Sequence, residues 1–146
     1  MANLLDLKPL TKLTRDIASK PFKRLEERVF DIFLKTHAYY FENEISPQRR
    51  KWEPLAESTI QRKGHDTILV DTGDLKASLT ERRKGIRTVD RRGDTLEIAF
   101  GSDVEYLQYH QTGTSRMPAR PALGLPPGTA QLILEATADQ IMENLK

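Results

Sequence analysis

The 146-residue chain contains no cysteine. Disulfides and thiolate metal sites are therefore excluded, and the absence fits synthesis in the cytosol. Trp52 is the only tryptophan. With no second aromatic beside it, it reads as a core plug at a helix entry rather than an exposed platform for stacking bases. Long apolar runs are also missing. None approaches the ~20 residues of a membrane span, and Asp6 and Lys8 interrupt Leu4, Leu5 and Leu7, so no secretory signal is expected. There is no internal repeat and no low-complexity tract. Nor is there a large excess of one charge: a net charge of +2 is too small to argue for nucleic-acid binding. What remains is an ordinary balance, 30% charged and 38% hydrophobic, at a length that suits one domain with a real core.

Periodicity assigns the elements. In residues 1–20, Leu4, Leu7, Leu10, Leu13 and Ile17 recur at threes and fours, a helical stripe broken at Pro9. This segment is expected to be an arm that orders against a neighbour, or else a frayed terminus. Pro21 suits a first helical turn. Phe22, Leu25, Val29, Ile32, Phe33 and Tyr40 then mark one face of an amphipathic helix from Pro21 to Glu42. His37 within it reads as packing or surface, not as a ligand. Pro54 and Gly64 bracket a short helix, Pro54 to Lys63. Asp71 or Thr72 is placed to cap the next helix, which buries Leu75 and Leu79 four residues apart. Gly85–Arg91 and Thr95–Gly101 read as strands joined by Arg92-Gly93-Asp94, with Leu96, Ile98 and Phe100 alternating inward. A last helix opens at Pro127 or at Gly128-Thr129. Its apolar face is Ala130, Ile133, Leu134, Ala138, Ile141 and Leu145, and its few positive charges argue against DNA contact.

Charge is uneven where its total is not. Arg82, Arg83, Lys84, Arg87, Arg91 and Arg92, with Lys76, face only Glu81 and Asp90 between residues 76 and 92. Such a basic hairpin can meet an acidic partner or DNA, or serve as a solvated edge.

The stretch from 104 to 125 changes character halfway. Val104–Gln111 reads as a short helix with Tyr106 and Tyr109, or Tyr106 and His110, sharing a face. Gly113 fits a left-handed helix end. Pro118, Pro121, Pro126 and Pro127, half of the eight prolines, then forbid helix and stiffen an extended arm carrying Arg116 and Arg120. An arm with little entropy to lose suits docking on a neighbouring surface. His110 and Gln111 are expected to hold the turn by hydrogen bonds.

Four motifs in this order resemble one known family. They are Trp52-x-Pro54-Leu55 with Thr59-Ile60, Leu69-x-Asp71-Thr72-Gly73-x-Leu75-x-x-Ser78, Tyr106-x-x-Tyr109-His110-Gln111-x-Gly113, and Met117-Pro118-Ala119-Arg120-Pro121-Ala122-Leu123-Gly124-Leu125. The set resembles the phage virion-morphogenesis family, the Mu-type neck and tail-completion proteins of tailed bacteriophages, over residues 22–125. The resemblance implies a small α+β subunit, without enzymatic role or cofactor, that forms a ring in the virion neck. It implies a hexamer first and a dodecamer second. The ring would lie between a connector or adaptor and the tail tube or sheath proteins, with DNA passing through unread. Localisation would be the virion, after assembly in the host cytoplasm.

Rival chemistries are weak. Leu69-Val70-Asp71-Thr72-Gly73 resembles the catalytic loop of aspartic proteases, in which two such aspartates share a proton. This chain has one copy and would have to dimerise. Asp74 stands where that loop carries a small residue, and helix periodicity follows at once. His37, His65 and His110 lack the close spacing of zinc ligands. Ser78, His110 and Asp71 can be drawn as a triad, but no nucleophile elbow surrounds Ser78. No phosphate-cradling glycine loop occurs.

The expectation is therefore an α+β fold. A long N-terminal helix and a C-terminal helix pack on a small, mostly antiparallel sheet in a domain spanning 21–146, with 1–20 as an arm. The expected function is a structural subunit at the head–tail junction: neck, tail-completion or tail-terminator protein. Its interface candidates are Tyr106, Tyr109, His110, Gln111, Arg116, Pro118, Arg120, Pro121 and Leu123 on one side and the basic hairpin on the other. A small nucleic-acid-binding module using that hairpin is the alternative, followed by a dimeric aspartic protease using Asp71-Thr72-Gly73.

Overall fold

The computed structural model describes residues 3–6, 23–92 and 95–144. The long helix α1 spans Lys23–Asn43. Its inward stripe is Leu25, Val29, Phe33, His37, Tyr40 and Phe41, spaced at threes and fours, and all six are buried. Pro21 and Phe22, expected in its first turn, lie outside the described residues.

Strand β1 is Asn3–Asp6, β2 is Ile86–Arg92 and β3 is Thr95–Ser102. They form one antiparallel sheet in the order β1-β3-β2, with Leu5 and Arg87 flanking Phe100 in register. The helical stripe expected from residue 4 onward is thus corrected at its start. β3 has two edges, and β2 satisfies the backbone groups of only one; residues 3–6 pair with the other. The rest of that expected arm, 7–20, lies outside the described residues, as do Gly93 and Asp94 of the expected turn. The alternation on β3 is as expected: Ile98 and Phe100 are buried.

Two short helices follow α1 in the chain before β2. Helix α2 is Glu57–Lys63, closed by Gly64 in the left-handed region (φ 79). It begins three residues after Pro54, because the carbonyls of Glu53 and Pro54 face the Arg120 guanidinium instead of opening a helix. Helix α3 is Asp74–Thr80. Its entry is shifted by one residue from the expected caps. Gly73 is the cap position, and the Thr72 hydroxyl lies 3.4 Å from the Asp74 amide and donates to the Asp74 carboxylate at 2.7 Å. Asp71 instead faces Arg62 at 3.3 Å.

Helix α3 packs against both α1 and β3. Leu75 and Leu79 enter the core there with Phe33, Tyr40 and Phe100. The Phe33 and Phe100 rings meet with centroids 5.1 Å apart, and His37 lies 4.9 Å from Phe100. Arg87 covers the same ring, its guanidinium carbon 4.0 Å from the centroid. That guanidinium also donates to the carbonyls of Ser78 (2.8 Å) and Glu81 (3.3 Å), closing the C-terminal end of α3, and to Gly101 (3.0 Å).

Helix α4 is Leu107–Thr112 and α5 is Thr129–Asn144. Helix α5 packs on α1, and Arg28 pairs with Glu143 between them at 2.7 Å. Its buried face is Thr129, Ile133, Thr137 and Gln140, not the stripe expected from apolar residues alone. Ala130 and Ala138 are exposed and Leu145 lies outside the described residues. The reason is that Thr137 returns its hydroxyl to the Ile133 carbonyl at 2.7 Å. A threonine bonded within its own helix can be buried without an unmet donor.

Candidate functional site

The 113–125 segment decides which expected interface residues are available. It is extended, as its prolines require, but its second half is built into its own subunit. Gln111 at the end of α4 reaches across to it. Its side-chain oxygen accepts from the amides of Ala122 (2.6 Å) and Leu123 (2.9 Å), and its amide nitrogen donates to the Leu123 carbonyl at 2.9 Å. One side chain thus pairs with the arm as a strand would. The Trp52 indole donates to the Pro121 carbonyl at 2.8 Å, and the Tyr40 hydroxyl to the Gly124 carbonyl at 3.2 Å. Ala122 and Leu123 are buried.

Arg120 is 6% exposed. Its backbone amide donates to the His110 carbonyl at 2.7 Å, and its guanidinium donates to the carbonyls of Glu53 (2.6 Å) and Pro54 (2.8 Å). It ties the arm to the entry of α2. Arg120, Gln111 and Leu123 therefore act within the subunit. The Trp52 ring packs edge-on against Phe41 at 5.5 Å, as a core plug should.

His37 anchors the same segment from α1. Its Nδ1 donates to the Phe33 carbonyl at 2.7 Å, and its Nε2 accepts from the Gly124 amide at 3.3 Å. Only the neutral ring can do both. Burial, opposed by the Phe33 bond and reinforced by the Arg87 charge, pushes its pKa down to about 4. The folded value is thus depressed below the unfolded one of about 6.5, and the unfolded chain binds the extra proton between them. Stability is full above about pH 6.5 and falls by roughly 3 kcal/mol as the pH drops to about 4. Urea titrations at pH 7.5, 5.5 and 4.5 are expected to show this loss, and His37→Gln is expected to flatten it. A His37→Gln variant with the wild-type pH profile would refute the assignment.

The first half of the segment stays on the surface. Tyr106, Tyr109, Arg116 and Pro118 are exposed. Tyr106 lies edge-on to the His110 ring, centroids 5.9 Å apart, so the expected shared face exists. They line one wall of a cleft of about 880 Å³, whose other walls are Pro54–Ala56, α2 and the 69–74 loop. Gly113 has the expected positive φ, 73°, but an extended ψ of 174°, so it starts the arm rather than closing a left-handed turn. His110 holds the turn through its backbone. Its Nδ1 is buried without a hydrogen-bond partner among the described residues, and burial, with the nearby Arg120 and Lys63 charges, holds its pKa below the usual histidine value.

The basic hairpin is largely neutralised within the chain. Arg82 pairs with Asp31 and Arg91 with Glu26, both on α1. Arg92 meets Asp90 at 2.7 Å and Lys84 meets Glu81 at 3.5 Å. Arg87 is drawn inward. Arg83 alone of these six has no ion pair or hydrogen bond among the described residues. Sequence reading missed the two acceptors on α1 because each lies more than fifty residues away from its arginine in the chain.

Ser78 and Asp71, on which the rival catalytic readings rest, have other partners in the fold. Ser78 gives its hydroxyl to Leu75 (2.7 Å) and lies 2.5 Å from the Ser102 hydroxyl. Asp71 is exposed and faces Arg62. Among the described residues no group of three or more histidine, cysteine or carboxylate side chains is arranged to hold a metal, and no helix is long and apolar enough to cross a membrane.

The profile of the phage virion morphogenesis family matches residues 7–142. The chain belongs to that family. The match takes in every element from α1 to α4 and nearly all of α5, and the four motifs that suggested it in the sequence all lie inside it. No curated protein and no solved structure gives a significant match. For a member of a virion morphogenesis family, the surface just described is a candidate for assembly: exposed tyrosines and a proline-stiffened loop around a cleft, on a rigid base.

Proposed function

We propose that this virion morphogenesis protein is a structural subunit of the phage head–tail junction, a neck or tail-completion protein. In this role it closes into a ring between the connector and the tail tube or sheath. The family match over 7–142 carries the reading. The exposed Tyr106 and Tyr109 support it, because rigid aromatics at a cleft are the side chains that interfaces use as anchors. A closed ring of identical subunits needs two different complementary surfaces on each. A hexamer is the first stoichiometry to test and a dodecamer the second, with DNA passing through the ring without being read. The role asks for no catalytic group and no cofactor, and for a place in the virion after assembly in the host.

The nucleic-acid-binding alternative loses support from the hairpin itself. Arg82, Arg91 and Arg92 pair with Asp31, Glu26 and Asp90, and Arg87 donates to backbone carbonyls, so less unpaired positive charge is left to meet a phosphate backbone. In a phage or lysogen lacking this chain, electron micrographs are expected to show filled heads and separate tails, with joining restored when the chain is supplied. Normally joined virions without it would sink the proposal.

A further inference from the structure

We propose that the cleft receives the outer face of helix α5 from a second copy of the chain, an inference that rests on the ring reading above. The cleft is cationic. Arg62, Lys63, Arg116 and Arg120 line it against Asp71 and Asp74. Only Arg62 has a carboxylate partner among the described residues, Asp71 at 3.3 Å. The Lys63 ammonium donates to the Thr67 carbonyl at 2.7 Å, and Arg120 faces carbonyls. Partial burial, with Arg62 and Arg120 nearby and only Asp71 and Glu44 opposing, lowers the Lys63 pKa. An incoming carboxylate would relieve that crowding of like charge. Around the charges, Tyr106, Tyr109, Met117 and Pro118 offer apolar contact.

The complementary surface is on the same chain. Leu132, Glu135, Asp139 and Met142 recur at three, four and three residues along α5 and so form one stripe. All four are exposed, Leu132 at 51% and Met142 at 59%. Helix α5 contains Glu135, Asp139 and Glu143 and no lysine or arginine. Glu143 is engaged by Arg28, whereas Asp139 has no ion pair or hydrogen bond among the described residues. Glu135 accepts from the Gln131 side chain of its own helix at 3.1 Å and meets no cation among the described residues. Two solvent-facing large apolar side chains flanking two carboxylates without a cationic partner are what a cationic, tyrosine-lined cleft would bind. Helix α5 packs on α1, while the cleft lies among α2, the 69–74 loop and α4. One subunit can therefore offer both surfaces at once, and repetition of such a head-to-tail contact generates a ring.

Charge reversal tests the contact. Asp139→Arg and Arg116→Glu would be purified separately and together, and assembly measured by native mass spectrometry against wild type, with melting temperatures as a folding control. Wild type is expected to form closed rings. Each variant alone is expected to be monomeric with wild-type melting, its self-affinity down on the order of tenfold to a hundredfold. The equimolar mixture is expected to regain rings with the two variants in equal number, because every contact is again between opposite charges. Wild-type assembly by either variant alone would place the ring contact elsewhere and overturn the inference while leaving the ring intact. A mixture that stays monomeric would show that the two surfaces do not bind each other. A monomeric wild type would also overturn the contact, and the head–tail joining experiment would then judge the neck role independently.

Discussion

Gly85→Ala is expected to destabilise the protein by at least about 4 kcal/mol, lowering its melting temperature by ~10 °C or more. Gly85 precedes β2 at φ +70, and a Cβ there would lie 2.1 Å from the Ser78 carbonyl oxygen and 2.6 Å from that of Gly101. Neither oxygen can retreat cheaply. Both accept from the Arg87 guanidinium, the first closing α3 and the second belonging to β3. The glycine thus lets α3 and the sheet approach backbone to backbone, a contact only a residue without a side chain permits. Gly64→Ala is the control. It has a similar φ, +79, but nothing within 4 Å of its added Cβ, so it is expected to cost only the conformational penalty of about 1 kcal/mol. Equal melting temperatures for the two variants, read by circular dichroism, would show that the close approach does not matter.

Gln111→Ala is expected to cost about 4 kcal/mol and to loosen the arm before the rest of the chain. It strips one acceptor from two backbone amides, Ala122 and Leu123, and one donor from the Leu123 carbonyl. Each buried group left unmet costs about 1–3 kcal/mol. Ala122 is fully buried, so water cannot replace the lost acceptor without opening the core beside Trp52. Gln111→Glu separates the two roles. It keeps an acceptor for both amides but faces the Leu123 carbonyl with an oxygen, so its loss is expected to lie between wild type and alanine. Hydrogen exchange at Ala122 and Leu123 is the direct readout. Unchanged protection there in Gln111→Ala would mean that the arm is held by Trp52, His37 and Tyr40 without it.

These two residues mark the boundary between local and tertiary information. Most elements were readable because their causes are local; β1 was not, because its pairing partner β3 lies more than ninety residues away in the chain. The 3.6-residue apolar spacing from Leu25 to Phe41 makes α1, the alternation of Leu96, Ile98 and Phe100 makes β3, and Gly64 ends α2 by its left-handed φ. The family was readable for a similar reason: its motifs are short, and their order along the chain survives without coordinates.

What a proline-rich arm does with its stiffness is not local. Extended backbone suits docking on a neighbour and docking on its own core equally well. The choice was made by acceptors and donors that lie 69, 84 and 87 residues away on Trp52, Tyr40 and His37. The same holds for the arginines. A cluster in sequence looks like a charged surface until Asp31 and Glu26 arrive from α1. On α5, one-dimensional patterning put Ala130 and Ala138 inward and left the threonines out, because hydrophobicity does not reveal that Thr137 can satisfy itself within the helix and be buried. Sequence alone determined the helices, the hairpin and the family, since each depends on neighbours within a few residues. Tertiary structure alone decided which face of α5 and which half of the arm remain exposed, since burial of a polar group depends on a distant partner that satisfies it.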